Sequence, residues 1–255
     1  MKYSKTVAAA LFSLVLILLA LPAVNAQAAE PLIPKIGITV GDAETPQDMA
    51  ATLRVILILT VLSLAPSILI MMTSFTRIII VLSFTRSAMG TQQMPPNQVL
   101  IGLALFLTLF IMSPVISDIN TNAYQPLVRG EINEAEALER GMKPIREFML
   151  KQTYKKDMNL FLTLTKEEAP QSPEDIPFPA LVSAFITSEI KRGFQMGFFI
   201  FIPFIMIDMV VASTLMSMGM MMVPPIAISL PFKVLLFILV DGWNLVIKTL
   251  ISSFH

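Results

Sequence analysis

Two ionisable side chains lie deep within long apolar stretches, Asp208 inside 194–218 and Lys233 inside 226–250. A charge within a spanning-length apolar helix costs on the order of 3 kcal/mol on insertion scales, so each needs a partner or a task. Both lie roughly a dozen residues from the turn that joins the stretches. If the two stretches return antiparallel, the charges reach one depth and neutralise each other, which offsets the cost of each. One reading makes this intramembrane pair a device that fixes helix register or subunit packing. The other makes Asp208 a proton or ion relay, a common use of intramembrane acids.

The turn between them reads Met216-Ser-Met-Gly-Met-Met-Met-Val-Pro-Pro225. Thioether side chains are unbranched and polarizable, so they fill irregular gaps and repack around changing partners. A deformable seal at a hairpin apex and plain apolar filler both suit that composition. Upstream, Gly193 and Gly197 form a GxxxG pair, a spacing that strips bulk from one helix face and admits close helix packing. Glu189, Lys191 and Arg192 just before it read as anchors at a membrane interface.

Several chemistries are excluded by what is missing. The chain has no cysteine, and its one histidine is His255, the last residue. Disulfides, thiolate zinc sites, a Ser-His-Asp triad and an HExxH zinc helix cannot be assembled. No GxxxxGKS loop occurs, so nucleotide hydrolysis would belong to a partner. An intramembrane protease would need paired catalytic aspartates, and Asp208 and Asp241 have no supporting motif. An ion-coupled transporter using Asp208 is the alternative function, although inverted repeats are not evident: Pro66 and Pro203 interrupt both halves, but the methionine run and the charge pair have no N-terminal counterpart. No cofactor, metal or nucleic acid is expected.

The elements that must carry these residues follow from composition. A hydrophobic fraction of 55%, a charged fraction of 14% and a mean hydropathy of +0.74 place the chain in the membrane class. Residues 1–26 read as a cleaved signal peptide, with Lys2 and Lys5, an apolar core, and a small-residue site ending at Ala26. Four apolar stretches follow, 53–72, 99–117, 194–218 and 226–250, each near the roughly 20 residues a spanning helix needs. Pro66 should kink the first. The expected organisation is 27–117, an N-terminal segment and first helical hairpin with a cytoplasmic loop; 118–179, a helical periplasmic insertion and proline-rich linker; and 180–255, a C-terminal hairpin with the methionine apex. Arg77 and Arg86, without an acid between the first two stretches, make that loop cytoplasmic by the positive-inside rule.

That loop echoes itself in Ser74-Phe-Thr-Arg77 and Ser83-Phe-Thr-Arg86. Nine residues turn a helix through about two and a half revolutions, so the two arginines point oppositely. Packing between subunits and snorkelling at a membrane surface both fit. Within the insertion, Asn133 with Glu136 reads as an N-cap pair, Gly141 as a stop, and Pro144 as the start of a second helix whose Ile145, Phe148 and Met149 share a face. About 60 residues are too few for an ambitious core, so the insertion should pack against neighbours. Pro170, Pro173, Pro177 and Pro179 mark a stiff linker.

The chain resembles the FliP family, membrane components of the flagellar type III export gate. The resemblance rests on Ser74-Phe-Thr-Arg-Ile, Gly90-Thr-Gln-Gln-Met-Pro-Pro-Asn-Gln98, Phe185-Ile-Thr-Ser-Glu-Ile-Lys-Arg-Gly-Phe-Gln-Met-Gly-Phe198, the methionine run, and Leu230-Pro-Phe-Lys-Val-Leu235. It implies an all-α, pore-forming inner-membrane protein that forms a homo-oligomer with FliQ and FliR in the flagellar basal body and passes exported flagellar proteins. It implies no enzyme activity. By that resemblance Met220, Met221 and Met222 line the closed pore as a gasket, with Met216 and Met218 packing below them, and Asp208 and Lys233 match charged positions important in the family. It also implies kinked hairpins raised toward the periplasm, so that the four stretches describe insertion better than the assembled state.

Overall fold

The computed structural model describes residues 46–165 except Gln92, Ser172, and 175–254 except Met221. The expected signal peptide, Pro170, Pro173 and Met221 lie outside the described residues. Residues 54–255 cluster as one compact unit.

Nine α-helices are defined among the described residues, and no strand is. They are α1 Pro46–Met71, α2 Phe75–Met89, α3 Asn97–Ile119, α4 Gln125–Val128, α5 Glu134–Gln152, α6 Lys155–Thr165, α7 Phe178–Ser217, α8 Pro225–Leu239 and α9 Gly242–Ser252. A π-helical turn, Asn120–Tyr124, joins α3 to α4. The ends follow local chemistry. Gly90 closes α2 with φ 71°, a left-handed conformation open to glycine without a Cβ clash. Asn133 opens α5 as expected, its side chain accepting from the Glu136 N–H at 2.9 Å. Pro225 occupies the first turn of α8, where a missing N–H costs nothing.

The 40-residue α7 is the spine, about 60 Å long at 1.5 Å per residue. Helix α2 runs parallel to it, with Ile80 against Gly193 and Phe84 against Gly197. Helix α8 returns antiparallel, bringing Phe237 to Phe204 with ring centroids 6.2 Å apart, and α9 continues from it after a bend. These helices and α3 share one core containing Ile78, Leu82, Leu100, Phe204, Phe237 and Leu250. A second core joins α5, α6 and the start of α7 through Met149, Met158, Leu181 and Phe185. The insertion therefore packs against neighbouring helices of its own chain, and Ile145 and Phe148 share the Met149 face as the sequence indicated.

Two described helices are long and apolar enough to cross a membrane: α3 with its extension to Val128, and α7. The pair α8 and α9, bent by 62°, makes a third if it counts as one broken span. The expected stretch 226–250 is thus interrupted at Val240 and Asp241, the latter in a left-handed conformation at φ 49°. The stretch expected from 194 begins sixteen residues earlier at Phe178, because charged and polar residues of 178–193 are buried against α2, α5 and α6 and propagate the helix. Gly141 is not a stop and Pro144 not a start, since α5 passes through both. Gly141 instead gives close approach to the π-helical turn: a Cβ there would lie 3.6 Å from Ala123 Cβ. Pro66 also lies inside a helix, α1.

Candidate functional site

Helix α7 carries two polar layers separated by an apolar band. The layer toward its C-terminus holds the predicted pair. Lys233 Nζ donates to Asp208 Oδ2 at 2.6 Å, and Ser229 Oγ donates to Asp208 Oδ1 at 2.6 Å. Both carboxylate oxygens are thus engaged within the α7–α8 hairpin. The lysine is buried, whereas a third of the aspartate side chain remains exposed. Gly90 stands beside it, since a Cβ at that glycine would lie 3.9 Å from Lys233 Nζ. The C-terminal end of α2, where the helix dipole places partial negative charge, thereby lies close to the ammonium. Ser229 was not legible in the sequence. Its only signal is its position four residues before Lys233, on the same helical face.

Sequence reasoning missed the connections of the other layer altogether. Arg77 and Glu189 are fully buried and form a bidentate pair, Nε to Oε2 at 3.0 Å and Nη2 to Oε1. Nη2 also reaches Gln152 Oε1 at 3.1 Å, while Nη1 donates to the Ser253 carbonyl and hydroxyl, each at 2.9 Å. All five guanidinium donors are satisfied, and the Phe254 ring lies 3.7 Å from Cζ. The arrangement corrects two expectations. Arg77 is held by its own chain and needs no neighbouring subunit, and Glu189 is no interface anchor but a buried counter-ion. Arg86 does point elsewhere, donating to Pro95 O at 3.2 Å and Asn97 Oδ1 at 2.6 Å.

Around this core, Asp157 accepts from Lys191 at 2.6 Å and from Ser188 Oγ at 2.9 Å. The Lys191 hydrogen bond holds the Asp157 carboxyl below its ordinary value, with Ser188 adding to the effect and burial opposing it. Arg192 donates to Gln152 Oε1 at 2.7 Å and covers the Tyr154 ring at 4.4 Å. The layer thus ties α2, α5, α6, α7 and the segment after α9 at one level.

Between the layers, the two predicted glycines are packing positions. A Cβ at Gly193 would lie 2.9 Å from Ile80 Cγ2, and one at Gly197 only 2.5 Å from Phe84 Cγ. The close approach is to branched and aromatic side chains of α2 rather than to a backbone. Beyond the second layer, the methionine turn projects from the hairpin. Met222 is 98% exposed and Met220 43%, and Met216 and Met218 are exposed as well. Gly219 makes the turn possible with φ 75°.

The family model described as FliP family matches residues 58–250, which include Arg77, Glu189, Asp208, Lys233 and the whole methionine run. The chain belongs to the FliP family. Curated FliP relatives match over most of this chain. The flagellar biosynthetic protein FliP of Bacillus subtilis is 57% identical over 217 residues, covering 85% of this chain and 98% of that protein. FliP of Pectobacterium carotovorum is 53% identical over 209 residues, 82% and 81% of the two chains. FliP of Aquifex aeolicus is 47% identical over 225 residues, 88% and 92%. No group of three or more His, Cys, Asp or Glu among the described residues is placed to hold a metal ion.

Proposed function

We propose that this chain is a pore-forming subunit of the flagellar type III protein export gate. Several copies assemble with FliQ and FliR in the inner membrane, their bulk raised toward the periplasm, and pass unfolded flagellar proteins outward. Membership of a family of flagellar biosynthetic proteins supports the setting. The observation that carries the pore reading is the methionine turn itself, which offers thioethers to something outside the fold. An apolar side chain left 98% exposed at Met222 gains stability only when a neighbour covers it.

In this reading Met220, Met221 and Met222 of the several copies meet as a gasket. Substrate polypeptide pushes them aside, and they close around it because methionine repacks with little loss of contact. The Asp208–Lys233–Ser229 set fixes the hairpin that presents the turn, and the Gly193 and Gly197 contacts fix that hairpin on α2. The chain acts as a structural channel component, and the energy for export comes from a partner. A relay role for Asp208 has no observation in its favour, since its oxygens are engaged by Lys233 and Ser229.

The test is ion leakage in cells expressing the assembled complex. Shortening Met220, Met221 and Met222 together to Ala is expected to make resting cells leak ions while assembly persists. Normal assembly without leakage would sink the gasket role.

A further inference from the structure

We propose that an exposed basic cluster at the junction of α6 and α7, formed by Lys155, Lys156, Lys191 and Arg192, binds the headgroup of an acidic phospholipid.

Three observations converge there. The first is unbalanced charge. Lys155 and Lys156 are exposed at the start of α6 and close no salt bridge among the described residues, although Lys156 acts through space on the Asp157 carboxylate. The acids near them are already committed, Asp157 to Lys191 and Ser188, and Glu189 to Arg77. A surplus of positive charge is left facing outward.

The second is preorganisation. The Tyr154 ring lies 4.4 Å from Arg192 Cζ and 5.6 Å from Lys191 Nζ, so both α7 cations are held at one aromatic ring. Asp157 fixes Lys191 further, while the lysine side chain stays 42% exposed. Less side-chain freedom is then lost when an anion docks.

The third is the change of character along α7. The next ionisable residue after Arg192 is Asp208, and the intervening surface exposes Phe194, Phe198 and Phe199. Cations therefore stand immediately above an apolar face on one of the two helices long enough to cross a membrane. A ligand matching both halves has an anionic head and an apolar tail. A soluble phosphate matches only the head. Simple snorkelling would place lysines and arginines at this level beside any lipid; the free charge on α6 adds selectivity for an acidic one.

The full-length chain, purified in mild detergent, would be titrated at low salt with short-chain phosphatidylglycerol, phosphatidylcholine and glycerol phosphate, and bound lipid counted by native mass spectrometry. Phosphatidylglycerol is expected to bind more tightly than phosphatidylcholine. The double substitution Lys155→Gln with Lys156→Gln should weaken phosphatidylglycerol roughly 30-fold, about fivefold per lysine at low salt, and leave phosphatidylcholine unchanged. Lys155→Arg with Lys156→Arg should retain the binding, which separates loss of charge from a damaged fold. Equal binding of the two lipids by the unaltered chain would overturn the proposal, as would undiminished phosphatidylglycerol binding by the glutamine pair. Glycerol phosphate bound as tightly as phosphatidylglycerol would make the cluster a soluble-anion site and overturn it too.

Discussion

Arg77 and Glu189, 112 residues apart in sequence, form an ion pair with both side chains shut off from solvent. Such a pair gives little net stability by itself, because the desolvation of two charges offsets most of their attraction. Its effect is to make one arrangement of helices far better than any other. Arg77 is satisfied only when α2, α5, α7 and Ser253 arrive together.

Removing one member should therefore be worse than removing both. Glu189→Leu alone leaves an uncompensated buried guanidinium and is expected to destabilise the chain by about 3–5 kcal/mol. Arg77→Met combined with Glu189→Leu should recover part of that loss. Thermal unfolding of the four chains in detergent checks it, and a double variant as unstable as the sum of the singles would refute the coupling.

The glycine pair yields a graded prediction. Gly197→Ala forces a methyl against the root of the Phe84 side chain, at Cβ and Cγ, where no rotamer change relieves it. An overpacking cost of about 1–3 kcal/mol is expected, with Gly193→Ala toward the lower end because its nearest approach is 2.9 Å rather than 2.5 Å. Gly102, in α3 with nothing within 4 Å of an added Cβ, is the control, and its alanine should be neutral or stabilising. The order of the three melting temperatures is the readout.

Asp208 and Lys233 should tolerate exchange better than loss. Asp208→Lys or Lys233→Asp alone places two like charges at a contact now 2.6 Å long, and assembly into the membrane complex should fail. The double exchange should restore assembly in part. Full recovery is not expected, because Ser229 and the carbonyl end of α2 at Gly90 are arranged for the native polarity. If each neutral variant assembles while the exchange does not, pairing is not what these residues provide.

Acid should weaken the α6–α7 junction in a defined window. Asp157 titrates below its ordinary value of 3.8 because Lys191 stabilises its charged form. A depressed carboxylate contributes stability that is complete above the unfolded value and disappears as pH falls through the folded one. The stability difference between the unaltered chain and Asp157→Asn should hence be constant at neutral pH and shrink below about pH 4. Melting temperatures measured from pH 7 to pH 3 would reveal it, and a difference independent of pH would contradict it.

The sequence by itself determined the helical class, the cap at Asn133, and the pairing of Asp208 with Lys233. Those depend on local pattern, or on a hairpin in which two residues 25 apart meet across a single turn. The methionine turn was legible for the same reason. Tertiary structure alone decided the partners of Arg77, Glu189 and Asp157, which lie on separate helices with no periodicity linking them. Nothing local announces that Glu189 is buried rather than interfacial, or that Gly141 meets the π-helical turn instead of ending α5. The physical reason is common to all of these. Connectivity and hydrophobic period fix an element and its nearest return, whereas a buried polar contact is chosen by which helices dock, and many distant residues decide that jointly.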